Sequence, residues 1–155
     1  MVKTTVPMAA PETRVRLAST GPVVETLVRV RFAETDAMGV VYHANYLVWF
    51  EVGRAAYWHA LALSAENGEA DAGTFAVAAA EVHYHMPARY GDQVLVSTWV
   101  REVRSRSLTF GYECLRQADG LRLATGQTTH VRLDAAGHAC CLPQPLRRAL
   151  LGQRL

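Results

Sequence analysis

The chain has almost no lysine. Lys3 is the only one, so the sixteen basic residues are otherwise arginines. Arginine suits bidentate contacts with phosphate or carboxylate, although a GC-rich genome produces the same bias. Cysteine is also scarce. Cys114, Cys140 and Cys141 cannot build a full disulfide framework, and two of them are adjacent, which fits a reducing compartment and a cytoplasmic protein. A net charge of +2 gives no sign of a nucleic-acid partner. No basic, then apolar, then small-residue signal opens the chain. There is no uninterrupted hydrophobic run either. The longest apolar segment, 44–63, is broken by Asn45, Glu51, Arg54 and His59, so a membrane span is not expected. Internal repeats and low-complexity segments are absent.

What is present is an ordinary globular composition. The 155 residues are 50% hydrophobic and 19% charged, which suits one domain with one core. Residues 1–22 hold Pro7, Pro11, Gly21 and Pro22 without a sustained period and are expected to be a mobile tail, leaving a domain over 23–155. From Glu25 the pattern alternates, with Val28, Val30 and Phe32 on one face and Arg29 and Arg31 on the other, as in a half-buried strand. Segment 44–63 is apolar nearly all round and reads as a well-covered helix, with Glu51 and Arg54 spaced to pair. Residues 64–73 read as a loop.

Four strand-like stretches follow, at 74–85, 93–103, 107–117 and 122–134. Val94, Val96, Thr98 and Val100 share a face in the second. Leu108, Phe110, Tyr112 and Cys114 do so in the third, and Leu123, Thr125, Gln127, Thr129, Val131 and Leu133 in the fourth. The turn "ADG" joins the last two. A proline-rich tail can close with a short helix. Five strands in hairpin order and one long apolar helix imply an α+β domain, with an antiparallel sheet curled around the helix.

The stretch "DAMGVVYHANY", residues 36–46, places a carboxylate in a turn just before that helix. A buried carboxylate is costly unless it is paired, hydrogen-bonded or used. The bland reading of Asp36 is a turn or capping residue.

"RFAETDAMGVVYHANYLVWFEVGR" (31–54) resembles the signature of hotdog-fold acyl-CoA thioesterases, in particular the 4-hydroxybenzoyl-CoA thioesterase and YbgC-like group. "YHMPARYGDQVLVSTWV" (84–100) is similar to that family's next block, and the likeness extends over about residues 25–148. The resemblance implies a hotdog fold, five antiparallel strands wrapped around one central helix, and hydrolysis of an acyl-CoA thioester. It makes Asp36 the catalytic carboxylate. Gly39 permits the tight turn, and the loop from Val40 through Tyr42 to His43 delivers backbone N–H groups, of which that of His43 binds the thioester oxygen. Where some members carry a tyrosine, this chain has Phe32, which donates no hydrogen bond.

The chemistry fits such a site. A thiolate leaves without strong acid help, because the thiol pKa is roughly 8.5. One carboxylate, as general base or nucleophile, and one helix N-terminus therefore suffice. The side chain of His43 is a second catalytic candidate, or it merely packs. Asn45 and Tyr46 line the pocket or hold the first helical turn. Arg104 and Arg106 flank a turn at a segment where similar enzymes meet the nucleotide, with Arg89, Arg147 and Arg148 as further candidates. His83 and His85 share one side of a strand but show no third ligand, and no metal is expected. Coenzyme A enters as part of the substrate and no other cofactor is implied.

An acyl carrier protein in place of coenzyme A is the alternative substrate. A hotdog dehydratase would need its own histidine motif, such as one followed by Phe-Pro-Gly, and the chain has no such string. A non-catalytic acyl-CoA-binding module would not need Asp36. Proteins of this family pair as two-fold dimers, often doubled to tetramers, so a homodimer or homotetramer is expected, with no membrane partner.

Overall fold

The computed structural model describes residues 12–61 and 74–151. Its elements are β1 (Thr13–Ala18), β2 (Gly21–Arg29), a 3-10 turn (Phe32–Glu34), α1 (Asn45–Ala60), β3 (Thr74–Tyr84), β4 (Gln93–Val103), β5 (Ser107–Arg116), β6 (Arg122–Leu133) and α2 (Gln144–Leu150). The strands form one sheet in the order β1-β2-β4-β5-β6-β3, and every neighbouring pair is antiparallel. The segment that carries α1 crosses the sheet, so β3 pairs at the far edge rather than beside β2.

The sheet has six strands, not the five expected. The additional one, β1, lies inside the stretch expected to be a tail; residues 1–11 of that stretch fall outside the described residues. Its sequence signal is weak because Val15 and Leu17 remain exposed. What attaches it is a full ladder to β2 and the pairing of Arg14 and Arg16 with Glu25, a carboxylate only 6% exposed. The expected loop at 64–73 also lies outside the described residues.

The core forms between α1 and the inner face of the sheet. Val24, Val94, Val96, Phe110, Tyr112 and Cys114 point inward from β2, β4 and β5. From the helix, Tyr46, Trp49, Phe50 and Tyr57 meet them. Gly53 lets the helix backbone approach β4. A Cβ there would stand 2.3 Å from Thr98 Oγ1 and 2.9 Å from Val96 Cγ1. On β6 the inward residues are Ala124, Gly126, Thr128 and His130, paired with Cys114, Tyr112, Phe110 and Leu108. The more apolar set from Thr125 to Leu133 is not the buried one. Leu123 departs from it and is buried through a register shift opposite Cys114 and Leu115.

Glu51 and Arg54 do not pair. Glu51 is exposed. Arg54 forms no ion pair among the described residues, and its charge favours the ionised form of Tyr112 on β5. Among the described residues no helix is long and apolar enough to cross a membrane.

Candidate active site

The loop between β2 and α1 is organised by Glu34, which is 5% exposed. One carboxylate oxygen accepts the Arg31 backbone N–H at 2.8 Å. The other accepts the Trp49 indole N–H at 3.1 Å and the Arg31 guanidinium at 3.3 Å. The Glu34 carbonyl accepts Tyr42 N–H and the Asn45 side-chain amide, both at 2.8 Å. These donors satisfy the buried carboxylate on both oxygens. The deeply buried carboxylate of this loop is therefore Glu34, which the sequence reading had not singled out.

Asp36 sits two residues further on and is only partly covered. Its Oδ1 accepts Met38 N–H at 2.8 Å, and its carbonyl accepts Gly39 N–H at 2.9 Å. The turn closes through Gly39 at φ +76°, a left-handed conformation that glycine adopts at little cost. Arg89 reaches the Gly39 carbonyl at 3.4 Å. Asp36 is thus an Asx-turn residue, and its second carboxylate oxygen has no partner among the described residues.

Beyond the turn, Thr35 bridges Val41, and Asn45 N–H closes onto the Tyr42 carbonyl to begin α1. The helix starts at Ala44 without a side-chain cap. The N–H groups of His43 and Ala44 find no acceptor among the described residues. Helix N-terminal N–H groups left open carry partial positive charge toward whatever lies in front of them.

Beside the helix start is a cavity of about 250 Å³, lined by Val41, His43, Tyr46, Tyr84, His85, Met86 and Pro87. Tyr84 donates its hydroxyl to the His43 carbonyl at 2.9 Å, and its ring meets that of Tyr46 at 5.4 Å. Tyr46 accepts Ala88 N–H on its hydroxyl at 3.2 Å. Burial pushes the pKa of both tyrosines up, so both remain protonated. The His43 side chain is exposed and stacks at a tilt on Tyr42, 4.4 Å away.

The expected site residues are therefore brought together in part. Asp36, Gly39, Tyr42, His43, Asn45 and Tyr46 lie on one loop and the first helical turn. Tyr46 and His43 line the cavity, and Asn45 braces the loop. Asp36 is not in the cavity wall; it follows Thr35, whose bridge partner Val41 is. Tyr84, Met86 and Pro87 were missed, because only the β3 pairing carries them to the helix start.

Arg104 and Arg106 are elsewhere. Their turn joins β4 to β5 at the end of the sheet where β3 begins, whereas the cavity adjoins the end where β3 finishes. Arg106 is level with Arg132 and Tyr84 with Ala124 on β6, so about eight strand steps, about 26 Å, separate the two. Arg104 pairs with Glu102 at 2.9 Å. His83 pairs with Glu81 and His85 with Thr125, and no group of three or more metal-ligating side chains occurs among the described residues.

Comparison with known proteins gives the same reading of residues 30–150, which match the family model described as the thioesterase-like superfamily. The chain is 36% identical over 107 residues to a putative acyl-CoA thioesterase, YneP, of Bacillus subtilis, covering 69% of this chain and 77% of the relative. It is 35% identical over 107 residues to the acyl-CoA thioesterase YbgC of Haemophilus influenzae, covering 68% and 79%. Among solved structures, a DHNA-CoA thioesterase from Staphylococcus aureus superposes with a TM-score of 0.74 at 30% identity, covering 82% of this chain and 87% of that one. With its six-stranded sheet, uncapped helix start and matching sequence, the chain belongs to the thioesterase-like superfamily and has the hotdog fold.

Proposed function

We propose that the protein hydrolyses acyl-CoA thioesters to a free acid and coenzyme A. The relatives named as acyl-CoA thioesterases support the reaction class. The observation that carries the site is the uncapped start of α1. The His43 and Ala44 N–H groups there are open, His43 lines the cavity, and the Asp36 carboxylate stands on the same short loop. In this reading the thioester oxygen lies at the His43 N–H, which stabilises the developing oxyanion. Asp36 activates water as a general base or attacks the carbonyl itself. The thiolate leaves unaided. The protein acts in the cytoplasm and needs no metal.

The working unit is proposed to be a homodimer formed through β3. This strand is an eleven-residue edge, exposed along most of its length, and such edges pair readily. Antiparallel pairing of two β3 strands sets the beginning of one beside the end of the other. Arg104 and Arg106 of one copy then approach the cavity of the second, where they meet nucleotide phosphates. Dimers of such dimers remain compatible with this arrangement.

Thiol release from a panel of acyl-CoAs, from short aliphatic to aromatic, tests the activity, and matched acyl carrier protein thioesters test the alternative substrate. No release from any acyl-CoA by the folded protein refutes the proposal. Light scattering at assay concentration checks the dimer. A mass near 17 kDa, with turnover per chain unchanged on dilution, refutes it.

A further inference from the structure

The turn that carries Asp36 stands clear of the body of the protein. Ala37, Met38 and Gly39 are all exposed. Its hydrogen bonds are local. Asp36 N–H donates to the Val40 carbonyl at 2.9 Å, and the Asp36 side chain and carbonyl hold the N–H groups of Met38 and Gly39. Among the described residues, one hydrogen bond reaches residues 36–39 from beyond the 35–41 loop. It runs from Arg89 Nη1 to the Gly39 carbonyl at 3.4 Å. A Cβ built on Gly39 would stand 4.0 Å from the same nitrogen, so the guanidinium lies against the turn.

The main chain beneath Arg89 is firmly seated. Arg89 N–H donates to Asp92 Oδ2 at 3.0 Å, and its carbonyl accepts Asp92 N–H at 3.1 Å. The Asp92 carbonyl in turn accepts Val30 N–H at 2.9 Å, just past the end of β2. Ala88, the preceding residue, is fully buried. Its carbonyl accepts Val41 N–H at 2.9 Å, and its N–H donates to the Tyr46 hydroxyl at 3.2 Å. Val41 and Tyr46 both line the cavity. Residues 88–92 are therefore fixed to the cavity wall, and the Arg89 side chain extends that fixed frame to the exposed turn.

We propose that Arg89 is a positioning residue, which holds the Asp36 turn in place beside the cavity so that the carboxylate meets the bound thioester. The inference rests on the thioesterase reading and gives Arg89 to the turn rather than to nucleotide phosphates. A reacting group displaced by about 1 Å can lose about a hundredfold in rate. A single hydrogen bond from an exposed cation adds little to the stability of the fold. Loss of the Arg89 contact is thus read in turnover and not in melting.

Arg89→Met removes the donor and keeps the aliphatic stem. Thiol release is measured on an acyl-CoA and on the pantetheine thioester of the same acid, in the wild-type and Asp36→Asn backgrounds. In the wild-type background kcat falls about tenfold on both substrates, with KM within about twofold and the melting temperature within about 2 °C. In the Asp36→Asn background the same substitution changes the residual rate by less than about twofold, because the carboxylate through which Arg89 acts is gone. An undiminished kcat overturns the proposal. So does a rise in KM confined to the acyl-CoA, which marks a phosphate contact, or an equal loss in both backgrounds, which marks a role independent of Asp36. In each of these cases wild-type turnover leaves the thioesterase reading standing. No thiol release from either substrate by the wild-type protein removes both.

Discussion

The hydroxyl of Tyr84, on the edge strand β3, donates to the carbonyl of His43 at the start of α1, across 2.9 Å. Forty-one residues separate them in sequence. The bond ties the far edge of the sheet to a residue that lines the cavity. It holds the His43–Ala44 peptide unit, which carries the open Ala44 N–H, through its carbonyl end. Tyr84→Phe removes the bond while keeping the ring packing on Tyr46. Activity is expected to fall about tenfold with the melting temperature nearly unchanged, because a single lost hydrogen bond at an exposed site is worth about 1 kcal/mol. Steady-state kinetics beside a thermal melt checks this, and undiminished kcat removes Tyr84 from the site.

Asp36→Asn is the sharpest probe of the chemistry. The Asx turn needs only Oδ1 as acceptor for Met38 N–H, and asparagine supplies it. The fold is therefore expected to persist while turnover drops by at least about a hundredfold, because an amide neither takes a proton nor attacks a carbonyl. Circular dichroism and thiol release on the same sample separate the two effects. Wild-type turnover by a folded Asp36→Asn protein refutes the role.

Glu34 behaves differently because its contribution is structural. Glu34→Ala leaves the Trp49 indole and the Arg31 N–H without acceptors in a buried setting. The expected loss of stability is about 2–4 kcal/mol, followed by denaturant unfolding with Trp fluorescence as readout. A loss below about 0.5 kcal/mol contradicts the anchoring role.

His130 makes stability depend on pH. Burial first, then the Arg54 charge, lower its pKa to about 4 in the folded protein. In the unfolded chain it titrates near the ordinary histidine value of 6.5. Between those values the unfolded state binds the extra proton, so stability rises with pH across the window and is lost as pH falls through it. The contribution is of order 2–3 kcal/mol. Denaturant midpoints at pH 7 and pH 4.5 are expected to differ less in His130→Gln than in the wild type. An identical pH dependence in both proteins rejects the assignment.

Gly53→Ala tests the seating of the helix. The added Cβ meets Thr98 Oγ1 and Val96 Cγ1 inside ordinary contact distance, so α1 must lift from β4 or β4 must yield. A destabilisation of about 1–3 kcal/mol is expected from overpacking. A variant as stable as the wild type shows instead that the Thr98 and Val96 side chains yield at little cost.

The period of the sequence by itself determined the order of the central elements. Alternation over 93–103 and 107–117 and the long apolar run after Ala44 are local signals, and β4, β5 and α1 appear where those signals lie. The motif around Asp36 and Gly39 was legible for the same reason: an Asx turn and a left-handed glycine are properties of a few adjacent residues. Where the deciding interaction is long-range, local pattern chose otherwise. β1 has too little apolar character to announce itself and depends on Glu25 across the ladder. On β6 the more apolar alternation lost to Ala124, Gly126, Thr128 and His130, because the register with β5 sets which side meets the helix and a one-residue choice exchanges the faces. Arg54 makes no ion pair with Glu51, three residues away, because Glu51 stands in solvent. The cavity exists only because β3 pairs at the far edge and carries Tyr84 back to the first turn of α1. That closure joins residues some forty positions apart, and no local propensity encodes it.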